Sequence, residues 1–254
     1  MTKEDLEQRF VEALRHHLSG WTAKVEADFS EQSFNTELKA LEGDPVYRNF
    51  CFANAQYVLI RLMGRMSISI GRRLGEIYDK LPRLAVQARF NLTHEDVAPK
   101  FDGLELDIRI PINKLSKGDK DHLFDTVSKY DLTTDSNGIG IEIRYNFNPN
   151  DSARLRKDDK MAEHLINHRL TPIYLIFSSI SPRDEAIARL KRSGWNFLIG
   201  EKASSFMIDL TGMDITSILE KPSIQQVLVK EVNIIMRNIF TSYAFREASK
   251  GFND

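Results

Sequence analysis

Two short runs in this chain set acids and bases at spacings that can do chemistry. In Ile141-Glu142-Ile143-Arg144 the acid and the base stand two residues apart, so a strand would show both on one face. In Leu123-Phe124-Asp125-Thr126-Val127 a second acid sits inside an apolar stretch. If the two runs pair, Asp125 and Glu142 can share a hard divalent cation such as Mg²⁺, with Mn²⁺ as an alternative, since such ions take oxygen ligands and keep several waters. An ion so held polarises a phosphoryl oxygen and activates water for attack on phosphorus. Arg144 beside it can stabilise charge on a phosphate or grip it with two hydrogen bonds.

The elements that must position these groups follow from patterning. Thr133-Thr134-Asp135-Ser136-Asn137-Gly138 is a turn signal ending in Asn-Gly. His122 to Leu132 reads as an extended stretch before it. After it, Ile139, Ile141, Ile143 and Tyr145 alternate with Gly140, Glu142, Arg144 and Asn146. An antiparallel hairpin about that turn sets Asp125 opposite roughly Tyr145, one diagonal from Glu142. Asp107 is a rival first acid, in the alternating strand Leu104 to Ile110 that Pro111 closes. Asp125 is preferred because one short hairpin joins it to Glu142.

Upstream the chain reads as helical. Leu6, Phe10, Ala13, Leu14 and Leu18 recur at helical spacing, and an apolar helix spans about Asn49 to Leu81, with Pro82 ending it. Glu76 lies in that helix near Arg72 and Arg73. Downstream, a helix capped by Asp151 or Ser152 runs to about His168, and Pro172 to Phe177 is a strand buried on both faces. Ser181-Pro182 opens a further helix, Trp195 to Ile199 is a strand, and a long amphipathic helix with Val227, Val232, Ile235, Met236 and Ile239 spans Ser223 to about Ala248. Such an order packs as an α/β fold, a central mixed β-sheet flanked by helices with helical N- and C-terminal additions. One continuous domain over 1–254 is expected, mainly helical over 1–100, with the sheet core over 101–212 and the C-terminal helix over 213–254.

Bulk properties narrow the function classes. A formal charge of −1 argues against a passive nucleic-acid coat protein, which would be basic throughout, but an acidic metal site and basic contact patches can cancel. The single cysteine, Cys51, excludes an internal disulfide and a cysteine zinc site. No apolar run is long enough for a bilayer and the acidic start is unlike a signal peptide, so a cytoplasmic protein without a membrane partner is expected. His16-His17, His122, His164 and His168 read as surface or packing residues, and no phosphate-binding glycine loop or nucleophile elbow is present.

At Asp125 and Glu142-Ile143-Arg144 the chain resembles the PD-(D/E)XK nuclease superfamily, whose signature is an Asp on one strand and Glu-x-Lys on the next. The closer resemblance is to ApaLI-like type II restriction endonucleases. It is carried by Gly140-Ile141-Glu142-Ile143-Arg144-Tyr145, Asn150-Asp151-Ser152, Thr171 to Phe177, Ala186 to Leu190 and Ser193-Gly194-Trp195-Asn196. It implies a restriction-endonuclease-like core, a Mg²⁺-dependent endonuclease for double-stranded DNA, and a homodimer with one active site per strand. Asp125 and Glu142 would be metal ligands and Arg144 catalytic. Glu76 resembles the helix acid such nucleases place near the metal, and it reads equally as a surface acid paired with Arg72 or Arg73.

Two departures stand out. Arg144 occupies the position of the family lysine, so either it serves, or Lys157 or Lys160 reaches in, or catalysis is impaired. The proline that often precedes the first acid is replaced by Phe124. Arg154, Arg156 and Lys157, at a helix start, are candidate phosphate contacts or a solvated charged face. Two other readings stay open: a catalytically weak or inactive DNA-binding protein on the same fold, and a mixed-sheet interaction module in which Asp125 and Glu142 are unpaired surface acids.

Overall fold

A computed structural model of the chain describes residues 3–147, 152–180 and 184–251. The helices in order are α1 (Lys3–Asp28), α2 (Glu31–Gly43), α3 (Pro45–Asn49), α4 (Ala55–Phe90) and α5 (His94–Val97). Then come β1 (Lys100–Phe101), β2 (Leu104–Glu105), β3 (Ile108–Pro111), α6 (Lys117–Lys129), β4 (Gly138–Arg144), α7 (Ser152–Asn167), β5 (Leu170–Ile176), α8 (Asp184–Arg192) and β6 (Asn196–Ile199). The chain closes with α9 (Glu201–Thr211), α10 (Ile215–Leu219), α11 (Pro222–Phe240) and α12 (Tyr243–Lys250). The expected caps Asp151 and Ser181 lie outside the described residues, and the alternative cap Ser152 is the first residue of α7. No described helix is long and apolar enough to cross a membrane.

The chain packs into two compact units, one of Met1–Gln8 with Gly75–Ile218 and one of Arg9–Leu74 with Leu219–Asp254. The second is helical. Phe10, Leu14, Leu18, Trp21 and Val25 are buried at every third or fourth residue of α1, the stripe that periodicity predicts. Helix α1 meets α11 through Asn238 to Glu26 at 3.2 Å, and α2 meets α12 through the Phe34 and Tyr243 rings. The C-terminal helix is not continuous: Ser242 accepts from Phe245 N–H and starts α12 as a separate element. On α11, Ile235 and Ile239 are buried whereas Val232 and Met236 are exposed.

The first unit holds a four-stranded mixed sheet of order β3-β4-β5-β6, flanked by helices. Strand β4 pairs antiparallel with β3 and parallel with β5, and β5 pairs parallel with β6. The parallel pairs are joined by helical crossovers through α7 and α8, as parallel strands require. Every residue of β5 is buried, as the apolar run from Pro172 implies. On one face, Ile139, Ile141, Ile143, Ile173 and Leu175 form a core with α4, α6 and α9 residues such as Val86, Leu123 and Phe206. On the other, Tyr174 and Ile176 pack with Met161, Ala162 and Leu165 of α7 and Leu190 of α8.

Two expectations are corrected. The stretch from His122 is a helix, α6, not a strand. Ser116 caps it by accepting from Asp119 N–H, and Leu123, Thr126 and Val127 are buried at spacings of three and four, a helical face. The adjacent apolar pair Leu123-Phe124 imitates a strand, but Phe124 is exposed. The antiparallel partner of β4 is therefore β3, with Ile108 opposite Ile141 and Ile110 opposite Ile139. The Thr133–Gly138 turn joins α6 to β4 rather than two strands. Pro82, expected to end its helix, lies inside α4. The missing hydrogen bond and ring clash of an interior proline are outweighed here by burial of Ile77, Leu81, Ala85 and Val86 on both sides of it.

Candidate active site

Strand β4 carries the site on the face opposite its isoleucines. Gly140 is what brings α7 close: a Cβ there would meet Leu165 Cδ2 at 2.4 Å. With the helix held against the strand, Asp158 and Met161 of α7 lie beside Glu142 and Arg144, and all four line one cavity of about 400 Å³. The rim is supplied by the β1–β2 hairpin, which turns at Asp102-Gly103 with φ of 46° and 80°, the left-handed geometry that a tight hairpin turn needs. Asp107, between β2 and β3, reaches the same cavity.

The acids and bases interlock. Asp107 Oδ2 accepts from Ile143 N–H at 2.8 Å and from Arg144 Nη1 at 3.1 Å. Arg144 Nη2 lies 3.0 Å from Glu142 Oε2 and 3.6 Å from Asp158 Oδ1. Asp158 Oδ2 accepts from the Tyr174 hydroxyl at 3.0 Å, and the Arg144 guanidinium carbon stands 5.7 Å from the Tyr174 ring centre. From α4, Arg83 reaches Asp107 Oδ1 at 3.6 Å, Glu105 at 2.9 Å and Asp79 at 3.1 Å. Five carboxyl groups, of Asp79, Glu105, Asp107, Glu142 and Asp158, thus share the guanidinium groups of Arg83 and Arg144.

That imbalance shows in the protonation of the acids. Glu142, 5% exposed, is pushed well above the usual carboxylate range by burial and then by the Asp107 charge. Burial raises Asp158 too, and it raises Asp79 to about 6 with Asp107 adding to the shift. Burial works against the charge on Arg144, but the acidic groups of Tyr174, Glu142, Asp107 and Asp158 hold it protonated above the ordinary arginine range. The site has more carboxyl groups than cations to neutralise them.

A divalent ion fits this chemistry. Asp107 and Glu142 offer hard oxygen donors side by side, and the uncompensated carboxyls can take up the charge of one such ion. Among the described residues no three Asp, Glu, His or Cys side chains are grouped as a metal cage. An ion here would hence keep waters in its shell, as Mg²⁺ commonly does.

Of the residues singled out from sequence, Glu142, Arg144 and the rival acid Asp107 come together. Asp125 does not join them: it is exposed on α6 and does not line the cavity. Arg154 and Lys157 line it from α7, and neither makes a salt bridge among the described residues. Arg156 and Lys160, exposed on other sides of α7, do not line it, and Lys160 lies 3.8 Å from Asp102 instead. Glu76 is half-buried on α4 outside the cavity; the α4 acid joined to the network is Asp79, three residues on. Sequence reasoning missed Asp79, Arg83, Asp158 and Tyr174. One signal was available: Asp158 leads the stripe Asp158, Met161, Ala162, Leu165, where an apolar residue would be expected. Comparison of the chain with family models, with curated proteins and with solved structures gives no match.

Proposed function

We propose that this chain is a divalent-metal-dependent endonuclease for double-stranded DNA, on a restriction-endonuclease-like core, with Asp107 rather than Asp125 as partner to Glu142. The observation that carries this reading is the pairing of half-buried Asp107, just ahead of β3, with buried Glu142 on the adjoining β4, opening into a cavity whose other wall bears Arg154 and Lys157. The resemblance to PD-(D/E)XK enzymes at Glu142-Ile143-Arg144 agrees with it.

Asp107 and Glu142 would hold Mg²⁺ or Mn²⁺, which supplies Lewis-acid polarisation of the phosphoryl group and activation of water. The chain's own part is electrostatic. Arg154 and Lys157 draw the phosphodiester to the cavity mouth. Arg144 offers a planar fork to the charge that builds on phosphorus-bound oxygens. Water adds to phosphorus, one P–O ester bond breaks, and the leaving oxygen takes a proton. Cleavage of both strands by one site per subunit would make the working form a homodimer, because palindromic sites match two-fold symmetry.

The test is incubation of the chain with unmethylated plasmid and Mg²⁺. Discrete fragments are expected, and Glu142→Gln should cut roughly 10²–10³-fold more slowly while its DNA affinity changes little. A smear or intact plasmid over all salt and metal conditions sinks the reading. One observation favours a second reading: Arg144 is salt-bridged to the very acids that would bind metal, as in a relict site kept for DNA binding alone. Under that reading the wild type and Glu142→Gln bind DNA equally and neither cuts.

A further inference from the structure

Arg144 sits among the acids with two sets of partners. Its fork fills the space at Asp107 Oδ2 and Glu142 Oε2, at 3.1 Å and 3.0 Å. Behind it, Asp158 at 3.6 Å and the face of Tyr174 form a second seat, tied together by the Tyr174 hydroxyl bonded to Asp158. The first seat does not satisfy the side chain completely: Arg144 Nε is buried with no hydrogen-bond partner among the described residues. A buried donor left unpaired marks a pose that another arrangement can improve.

We propose that Arg144 is the resident counter-ion of the Asp107–Glu142 pair, and that a divalent cation binds by displacing its guanidinium onto the Asp158–Tyr174 seat. This rests on the assignment of Asp107 and Glu142 as the metal pair above. The physical case is exclusion. A guanidinium and a divalent ion cannot both occupy the same two carboxylates, so each lowers the other's occupancy there. Without the ion, Arg144 offsets the charge of the half-buried Asp107 and the buried Glu142. With the ion in place, Arg144 is released from Asp107 and Glu142 while remaining at the cavity wall, free to meet a phosphate. The arginine at this position then acts as a gate that a compact lysine ammonium, lacking the planar fork and the ring-stacking surface, would not provide.

The experiment is titration of the full-length chain with Mn²⁺ alone, followed by the electron paramagnetic resonance of the free ion. Arg144→Gln should bind Mn²⁺ about tenfold more tightly than wild type or better, and Glu142→Gln should abolish binding in either background. A second measurement needs no stable variant at Arg144. In the intact chain labelled with ¹⁵N-arginine, the Nε–H signal assigned to Arg144 should move as Mg²⁺ saturates the protein. Equal or weaker Mn²⁺ binding by a folded Arg144→Gln, or an unmoved Arg144 signal at saturation, overturns the displacement and leaves the nuclease reading intact. Failure of wild type and Arg144→Gln alike to bind Mn²⁺ overturns both.

Discussion

The two faces of strand β4 are built to opposite rules. Ile139, Ile141 and Ile143 are buried in an apolar core against α4, α6 and α9. One residue along, Gly140, Glu142 and Arg144 face α7, where burial holds a carboxyl and a guanidinium instead of methyl groups. The first face gains free energy from removing hydrocarbon from water. The second gives some back, because desolvating charges costs more than their mutual attraction returns unless every partner is in place. Stability and chemistry are thus separated by a single strand's pleat.

The largest effect that would break this contrast is on the apolar side. Ile141→Ala should destabilise the chain by about 2–5 kcal/mol, read as a lower denaturation midpoint at unchanged slope; a loss under ~1 kcal/mol would show that the face is not a packed core. On the polar side the sign should reverse. Glu142→Leu, at pH near 8, should stabilise the chain, since it removes a buried acid that resists ionising while Arg144 keeps Asp107 and Asp158 as partners; destabilisation comparable to Ile141→Ala would refute the contrast.

A smaller effect comes from pH. The folded carboxyl of Asp79 is raised to about 6 from an ordinary 3.8, so the fold binds this proton more tightly than the unfolded chain does. Its ionisation penalises the fold fully above about 6, and the penalty is relieved as pH falls toward 3.8. Glu142 and Asp158, raised by burial, act in the same sense. The Tm should therefore rise as pH is lowered from about 7.5 to 4.5, and Asp79→Asn should flatten part of that slope. A Tm that falls steadily over the window would contradict the charge imbalance. The smallest effect is expected outside both faces. Asp125→Ala, on the exposed side of α6, should change stability by no more than ~0.5 kcal/mol and leave Mn²⁺ binding unaltered; loss of metal binding would restore it as a ligand.

Legibility followed periodicity. The α1 stripe, the buried strand β5 and the alternation of β4 could be read because each buries a face with a fixed spacing. Glu142 and Arg144 were legible for the same reason, a shared face two residues apart. Asp125 misled because Leu123-Phe124 precedes it and a true turn follows it, so local pattern and local turn agreed on a hairpin that the chain does not make. Asp79, Arg83 and Tyr174 carry no local mark of their role, since their partners are distant in sequence.

The sequence by itself determined which residues lie on each face of α1 and β4, because side-chain direction is set by backbone periodicity alone. It also determined that the strand beginning at Gly138 brings an acid and a base to one face. Tertiary structure alone decided which acid meets Glu142. Pairing of β4 with β3 puts Asp107 there, through loop closure across α6 that no short-range signal encodes. It also decided that Arg144 rests in the acid pair, because the packing of α7 through Gly140 and the pairing of β5 with β4 set Asp158 and Tyr174 behind it.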